Sequence, residues 1–144
     1  MGCRMLTRGE PRRPSAYLLM ASLLFQGFSG LVGGAALTLD RTGSIMQLPL
    51  DWLQGSLFSD YRLPGVILFT VLGIFPLVAL WGSWSRRPWS GAVSLIVGLA
   101  LVIFIGVEIS IIGYHPRPPL QVIYGLLGLA IVGLALRPQA PGSR

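Results

Sequence analysis

Four long apolar stretches, separated by shorter polar segments, dominate the pattern of this chain. They cover about residues 16–39, 63–85, 89–112 and 119–136, and Glu108 is the only charged residue within them. Each is about 18 residues or longer, which is the length that an α-helix needs to cross a hydrocarbon core of about 30 Å. The pattern predicts an all-α fold, an integral membrane four-helix bundle.

The composition excludes an ordinary soluble domain of this size. The chain has 144 residues, of which 53% are hydrophobic and 11% charged, and its mean hydropathy is +0.70. Such a balance is typical of membrane proteins and leaves room for one domain. We therefore expect a single four-span domain at 16–136, a basic cytoplasmic tail at 1–15 and a cytoplasmic tail at 137–144.

The arginines indicate an orientation in the membrane. All 11 basic residues are arginine, and the net charge is +6. They stand at the ends of the apolar stretches and do not gather on one face, so we expect a lipid bilayer as partner and no nucleic acid. We predict that the protein lies in the bacterial inner membrane. Since loops rich in arginine stay in the cytoplasm, both termini are predicted on the cytoplasmic side. Eight arginines fall on the predicted inner side (Arg4, Arg8, Arg12, Arg13, Arg86, Arg87, Arg137 and Arg144) and three on the outer side (Arg41, Arg62 and Arg117).

The beginning of the chain leaves alternatives open. The first apolar stretch could be a cleaved signal peptide, because basic residues precede it and small residues occur at 33–36. The apolar run continues to Leu39, which favours a retained span. Met5 could be the true start, which would remove Cys3, the only cysteine. No disulfide within the chain and no cofactor is expected.

Small residues predict how the helices pack. Helices in membranes approach each other closely at such residues, and Gly30 and Gly34 form a GxxxG pair. We expect these faces to pack the helices of one chain against each other. As a second role, the same faces could form homo-oligomers or larger membrane complexes. Pro76 lies inside the second stretch and predicts a kink. Further small positions lie in the third and fourth stretches, at Ser90, Ser94, Gly98, Gly125, Gly128 and Gly133.

The segment 40–62 is the only long loop, and it is predicted on the outer side. Pro49 can open a helix, and Leu50, Leu53 and Leu57 recur at helical spacing. We expect a short amphipathic helix there that lies in the outer membrane interface and is broken near Gly55. Trp52, Leu53 and Phe58 are candidates for a lid, either one that only covers the bundle or one that closes a pocket for an apolar ligand.

The loop also carries a family resemblance. Its residues follow the pattern LPxxWLxGSxFxDYxxPG and resemble an uncharacterised family of small bacterial four-span membrane proteins. The resemblance extends from about residue 33 to 128; Leu57 departs from it, because proline is usual there. It implies a four-span fold and an important loop, but no activity. On size and span number alone, the chain is also similar to the DoxX-like membrane proteins. The matching positions are Leu48, Pro49, Trp52, Leu53, Gly55, Ser56, Phe58, Asp60, Tyr61, Pro64 and Gly65 in the loop, and Gly73, Gly98, Glu108, Ile112, Gly113, Tyr114, Leu120 and Gln121 beyond it.

Glu108 is the most informative single residue. It lies about 8 Å inside the predicted outer end of its helix, at 1.5 Å per residue. A carboxylate at that depth must be paired, protonated or exposed to water. An ion pair with Arg62 or Arg117 would be structural, whereas a proton, cation or ligand site would be functional. The candidate outer polar cluster comprises Asp60, Tyr61, Arg62, Glu108, Arg117, Gln121 and Tyr124.

Gln26 is the other polar side chain deep in a span. Its depth, near the middle of the bilayer, predicts a hydrogen bond to another helix. It lies about 13 Å in depth from Glu108, so we expect no contact between the two. His115, the only histidine, is predicted to be a solvated loop residue, and no metal site is expected.

These residues support three functional hypotheses of unequal weight. The chain contains no pairing of a nucleophile with a base and no motif for a metal or a phosphate. The first hypothesis is a non-enzymatic membrane protein, which binds an apolar ligand at its outer face or serves as an accessory subunit. The second is a small transporter or channel protomer that uses Glu108. The third is an enzyme that acts on lipid or quinone.

Overall fold

The computed structural model describes residues 11–114, 116–117 and 119–137, and this part of the chain is helical without any strand. Cys3, Met5 and His115, on which three of the predictions above depend, lie outside the described residues. Positions 1–10 and 138–144 of the two tails also lie outside them.

Helices account for all four predicted stretches. A π-helical segment, Thr70–Ile74, joins α2 to α3, so that the two form one rod. The predicted bounds of the four rods are confirmed to within two residues at each end, since the apolar runs stop where proline or polar residues begin. The α-helices are α1 (Pro14–Leu39), α2 (Arg62–Phe69), α3 (Phe75–Trp84), α4 (Ser90–Ile112) and α5 (Leu120–Ala135).

Three of the rods are long and apolar enough to cross a membrane. They are Pro14–Leu39 with 26 residues, and Arg62–Trp84 and Ser90–Ile112 with 23 residues each. The helix α5 is apolar but has only 16 residues, which corresponds to about 24 Å. The large side chains on the outer faces of the rods are exposed, for example Phe28 at 68% and Ile103 at 65%. Such faces suit contact with lipid.

The rods pack in a ring, with neighbours antiparallel. The helix α1 contacts the α2–α3 rod on one side and α5 on the other, and α4 contacts the same two partners. A Cβ on Gly30 would lie 2.0 Å from the Leu72 oxygen, and one on Gly34 would lie 2.4 Å from the Phe69 nitrogen. The GxxxG pair therefore serves packing within the chain, as predicted.

The seam between α4 and α5 is built in the same way. A Cβ on Gly98 would lie 2.9 Å from the Val132 nitrogen, and one on Gly128 would lie 2.9 Å from a methyl of Val102. Ser94 is fully buried on the same face of α4 and donates to the Ser90 carbonyl of its own helix. Gly133, which was expected to pack in the same way, faces open space.

A kink is predicted at Pro76, and the structure has a π-helical segment, Thr70–Ile74, directly before this residue. The Phe75 N–H donates to the Thr70 carbonyl, five residues earlier instead of four. Pro76 has no N–H, so the α-helical bond to the Leu72 carbonyl is missing. The wider turn accommodates the proline ring within a continuous rod.

The loop 40–61 is folded onto the bundle. The Asp40 carboxylate accepts four hydrogen bonds, from the N–H and hydroxyl of Thr42, the hydroxyl of Ser44 and the N–H of Ile45. Gly43 has a φ of +73°, which glycine adopts without strain. The loop's apolar side chains, together with two from the helices, form a cluster of Leu37, Leu48, Leu53, Phe58, Tyr61 and Leu68.

The predicted short helix in this loop is a single turn of 3₁₀-helix, Leu50–Leu53. Leu53 is buried, but Leu57 is fully exposed, because the helical turn ends at Leu53 and no longer controls where Leu57 faces. The three leucines therefore do not form the common apolar face that their spacing predicts.

Candidate functional site

A cavity of about 280 Å³ lies where the loop 40–61 meets the four rods. Its walls are almost entirely apolar, and six of the lining residues carry polar side chains. The loop contributes Met46, Leu48, Leu53, Phe58 and Tyr61, and the helices contribute Gln26, Ser29, Gly30, Gly33, Leu37, Pro64, Leu68, Leu72, Leu101, Phe104, Ile105, Val107, Glu108, Ile111, Ile112, Leu120, Gln121 and Tyr124.

Glu108 and Gln121 form the polar end of the cavity beneath the loop. Glu108 is half-buried, and Gln121 is only 5% exposed. The amide nitrogen of Gln121 lies 3.1 Å from the Gly113 carbonyl and 3.5 Å from a carboxylate oxygen of Glu108. The shorter contact is a hydrogen bond of ordinary length, and the longer one is weak. Gln121 thus links the end of α4 to the start of α5 beside the carboxylate.

Tyr61 closes the same end from the loop side. Its side chain is 3% exposed, and its hydroxyl donates to the Pro49 carbonyl at 2.7 Å. Burial raises the pKa of the Tyr61 phenol above its usual value of 10.0, and the negative charge of Glu108 raises it further. The phenol therefore stays neutral beside the carboxylate and fastens the loop over the cavity.

The structure brings together only part of the predicted polar cluster. Tyr61, Glu108, Gln121 and Tyr124 line the cavity. Arg62 and Arg117 are exposed and do not line it. The pairing of Glu108 with either arginine stays a prediction. Asp60, which is also absent from the lining, accepts a hydrogen bond from the Arg62 N–H at the start of α2.

Only two of the three predicted lid residues contribute to the cavity. Leu53 and Phe58 line the cavity, whereas Trp52 does not. Met46 and Leu48, which sequence reasoning did not assign to the lid, take part in its place. Leu48 stands at the start of the loop motif, but no periodicity marks Met46, because it belongs to an irregular turn.

Gln26 lies at the other end of the cavity, deep among the helices. It is 1% exposed, and its amide nitrogen donates to the Leu72 carbonyl at 3.2 Å. The predicted hydrogen bond to another helix is confirmed. Its acceptor is the carbonyl that Pro76 leaves without its α-helical donor. The Gln26 carbonyl oxygen is buried and has no hydrogen-bond partner within the described part of the chain.

The lining of the cavity is mostly apolar, with a few polar side chains. Apolar walls with a few polar groups are typical of sites for small, largely apolar ligands. No group of three or more His, Cys, Asp or Glu that could hold a metal ion occurs among residues 11–114, 116–117 and 119–137. No family model, no curated protein and no solved structure matches this chain.

Proposed function

We propose that this protein is a non-enzymatic integral membrane protein that binds an apolar, lipid-like ligand in the cavity beneath the loop 40–61. The observation that carries the proposal is the cavity itself, about 280 Å³ in volume and apolar along its length. The few polar side chains in the lining, among them Gln26 deep inside and Glu108 with Gln121 near the loop, suit a ligand with one polar group and an apolar body.

The proposal includes four membrane spans, with both termini in the cytoplasm of a bacterium and the loop 40–61 outside. Support comes from the end of the bundle at which Arg12, Arg87 and Arg137 stand, here named the arginine end. Trp81, Trp84 and Trp89 lie at this end and are all exposed. Exposed tryptophans and arginines together are typical of a cytoplasmic membrane interface. The helix α5 crosses as the fourth span with the residues that flank it.

Native mass spectrometry from mild detergent tests whether the cavity binds such a ligand. It is applied to protein purified from membranes and to protein loaded with a bacterial polar lipid extract. A cavity-filling variant, Gly33→Leu, provides the contrast. A Cβ at this position would point toward Leu68 and Met46, at 3.3 and 4.0 Å, so the larger side chain enters the cavity. The matched control is Gly133→Leu, because a Cβ at Gly133 meets nothing within 4 Å.

We expect the wild type and Gly133→Leu to retain a bound mass that Gly33→Leu has lost, while thermal unfolding shows that all three proteins are folded. Retention of the same mass by a folded Gly33→Leu would contradict the proposal, as would the absence of any bound mass from the wild type. An ion flux into proteoliposomes that Glu108→Gln abolishes would instead favour the transporter hypothesis.

A further inference from the structure

A second apolar groove, separate from the cavity, runs along the outer surface between α1 and α3. Its volume is about 480 Å³. Each wall is formed by four residues at helical spacing, from Tyr17 to Leu24 on α1 and from Leu77 to Trp84 on α3. Positions three, four and seven residues apart lie on one face of a helix, so both walls are continuous stripes. Seven residues correspond to about 10 Å along each helix, measured from the arginine end into the membrane.

Arg12 stands at the mouth of this groove and touches both walls. One of its guanidinium nitrogens lies 3.7 Å from the sulfur of Met20, on α1. The other donates to the carbonyl of Trp84, on α3, and the guanidinium lies 5.3 Å from the centre of the Trp84 ring. The position of this charge is therefore set by residues that line the groove.

Arg87 holds a second positive charge over the same mouth. Its guanidinium lies 5.5 Å from the centre of the Trp81 ring. Trp81 and Trp84 are three residues apart on α3, so the two arginines stand above neighbouring rings of one wall. Stacking on aromatic rings leaves guanidinium N–H groups available for a further acceptor.

The charge at this mouth is not balanced by carboxylates in the described part of the chain. The four acidic residues there, Asp40, Asp51, Asp60 and Glu108, all stand at the end of the bundle that carries the loop 40–61. The fifth, Glu10, lies outside the described residues. An anion therefore suits the mouth of the groove, and an apolar chain suits its walls.

We propose that the groove between α1 and α3 binds a phospholipid with an anionic head group. The phosphate accepts hydrogen bonds from Arg12 and Arg87, since arginine recognises phosphate oxygens through paired N–H groups. One acyl chain lies between the stripes of α1 and α3. The site does not depend on the cavity beneath the loop.

The test is a native mass spectrometry titration with an equimolar mixture of phosphatidylglycerol and phosphatidylcholine in mild detergent. We expect the wild type to retain mainly phosphatidylglycerol. In the double variant Arg12→Gln with Arg87→Gln this preference falls by about 25-fold, because each arginine near an anionic lipid contributes a factor of about five and the two factors multiply. The matched control, Arg41→Gln with Arg117→Gln, removes the same charge from exposed positions at the other end and keeps the preference.

A second pair of variants tests the apolar part of the site. Ala21 lines the groove, so Ala21→Trp fills it and lowers the retention of phosphatidylglycerol. Ala130→Trp adds the same side chain at an exposed position of α5 and leaves retention unchanged. Equal losses in the two arginine double variants, full retention in Ala21→Trp, or a dimer that forms in place of the lipid complex would each overturn the proposal. Displacement of the lipid by inorganic phosphate alone would also overturn it, since the acyl chain would then contribute nothing.

Discussion

The amide nitrogen of Gln26 donates a hydrogen bond of 3.2 Å to the backbone carbonyl of Leu72 on the neighbouring rod. In an α-helix this carbonyl would accept a hydrogen bond from residue 76, but Pro76 has no N–H to donate. Gly30 allows the approach, since a Cβ there would lie 2.0 Å from the same oxygen. Three features that the sequence shows separately, a glutamine, a proline and a glycine, thus meet at one atom in the middle of the bundle.

The first prediction is that Gln26 and Pro76 are energetically coupled. Gln26→Leu leaves the Leu72 carbonyl without the amide and lowers the free energy of unfolding by about 0.5–2 kcal/mol, the range for hydrogen bonds between helices in membranes. In a Pro76→Ala background the restored N–H of residue 76 can serve this carbonyl, so the same change costs less.

A double-mutant cycle by thermal or denaturant unfolding in detergent measures this coupling. Ser110→Ala is the control, because it removes a helical hydroxyl on an exposed part of α4. Strict additivity of Gln26→Leu and Pro76→Ala would show that the two residues act independently.

The second prediction concerns the contact between α1 and the α2–α3 rod. Gly30→Ala or Gly34→Ala forces backbone atoms apart and destabilises the fold by about 1–3 kcal/mol or more, as overpacking does. Gly106→Ala, on α4, meets nothing within 4 Å and should be neutral or stabilising, because alanine favours helix more than glycine does. The midpoint of thermal unfolding compares the three variants, and equal behaviour would mean that the helices do not pack as described.

The third prediction is an acid sensitivity that arises at Asp40. Four hydrogen bonds lower the pKa of this carboxyl well below its usual value of 3.8. The ionised Asp40 carboxylate therefore stabilises the folded loop fully above pH 3.8. This stabilisation is lost as the pH falls from 3.8 through the lowered pKa of the folded state. The protection of the loop amides against hydrogen exchange, relative to their intrinsic exchange rate at each pH, should therefore fall below pH 3.8, and should fall less in Asp40→Asn, whose loop is already looser at neutral pH.

Asp51→Asn is the control for Asp40, because Asp51 accepts one side-chain hydrogen bond, from Gln54. It should leave the exchange of the Ile45 amide unchanged at neutral pH. If the Ile45 amide exchanges as fast in Asp51→Asn as in Asp40→Asn, the hydrogen bonds to Asp40 do not specifically stabilise the loop.

The fourth prediction is that Tyr61 fastens the loop at neutral pH and releases it in alkali. Tyr61→Phe removes the hydrogen bond to Pro49 and should cost about 1 kcal/mol. Because the pKa of Tyr61 is raised above 10.0, its neutral form stabilises the fold below that pH, and the contribution is lost as the pH rises through the raised pKa.

Thermal unfolding from neutral to strongly alkaline pH measures this effect. The decline above pH 10.0 should be smaller in Tyr61→Phe than in the wild type. Tyr17→Phe is the control, because Tyr17 is 55% exposed and lies far from the loop in sequence. A decline of the same size in Tyr61→Phe and the wild type would assign the alkaline sensitivity to other groups.

Much of the helical fold could be predicted because its causes are local. The apolar stretches set the ends of α1, the α2–α3 rod, α4 and α5, and glycines at four-residue spacing marked the close contact at Gly30 and Gly34. The loop was harder to predict. The spacing of Leu50, Leu53 and Leu57 predicts a longer apolar face than the single turn Leu50–Leu53 provides. The helical turn does not continue because Gly55 has a φ of +86° and the Phe58 N–H donates to the Ser56 hydroxyl.

The candidate site was predictable only in part, for a related reason. Glu108, Gln121 and Tyr124 are predictable because polar or aromatic side chains near a helix end are conspicuous in sequence, and Leu53 is predictable from its helical spacing in the loop. Met46, Gly33 and Ile105 line the same cavity, yet they resemble any other apolar position. Gln26 was expected to lie apart from Glu108, and nothing in its spacing indicated that one cavity would extend from the first residue to the second.

The sequence by itself determined that the chain forms long apolar helices, how those helices are bounded and which end of the bundle carries most arginines, because these depend on residue type and local spacing. Only the tertiary structure decided that Gln26 serves the Leu72 carbonyl, that the loop closes an apolar cavity and that Arg12 and Arg87 stand over one groove. These relationships join residues that are far apart in the chain, and their geometry arises only when the helices pack.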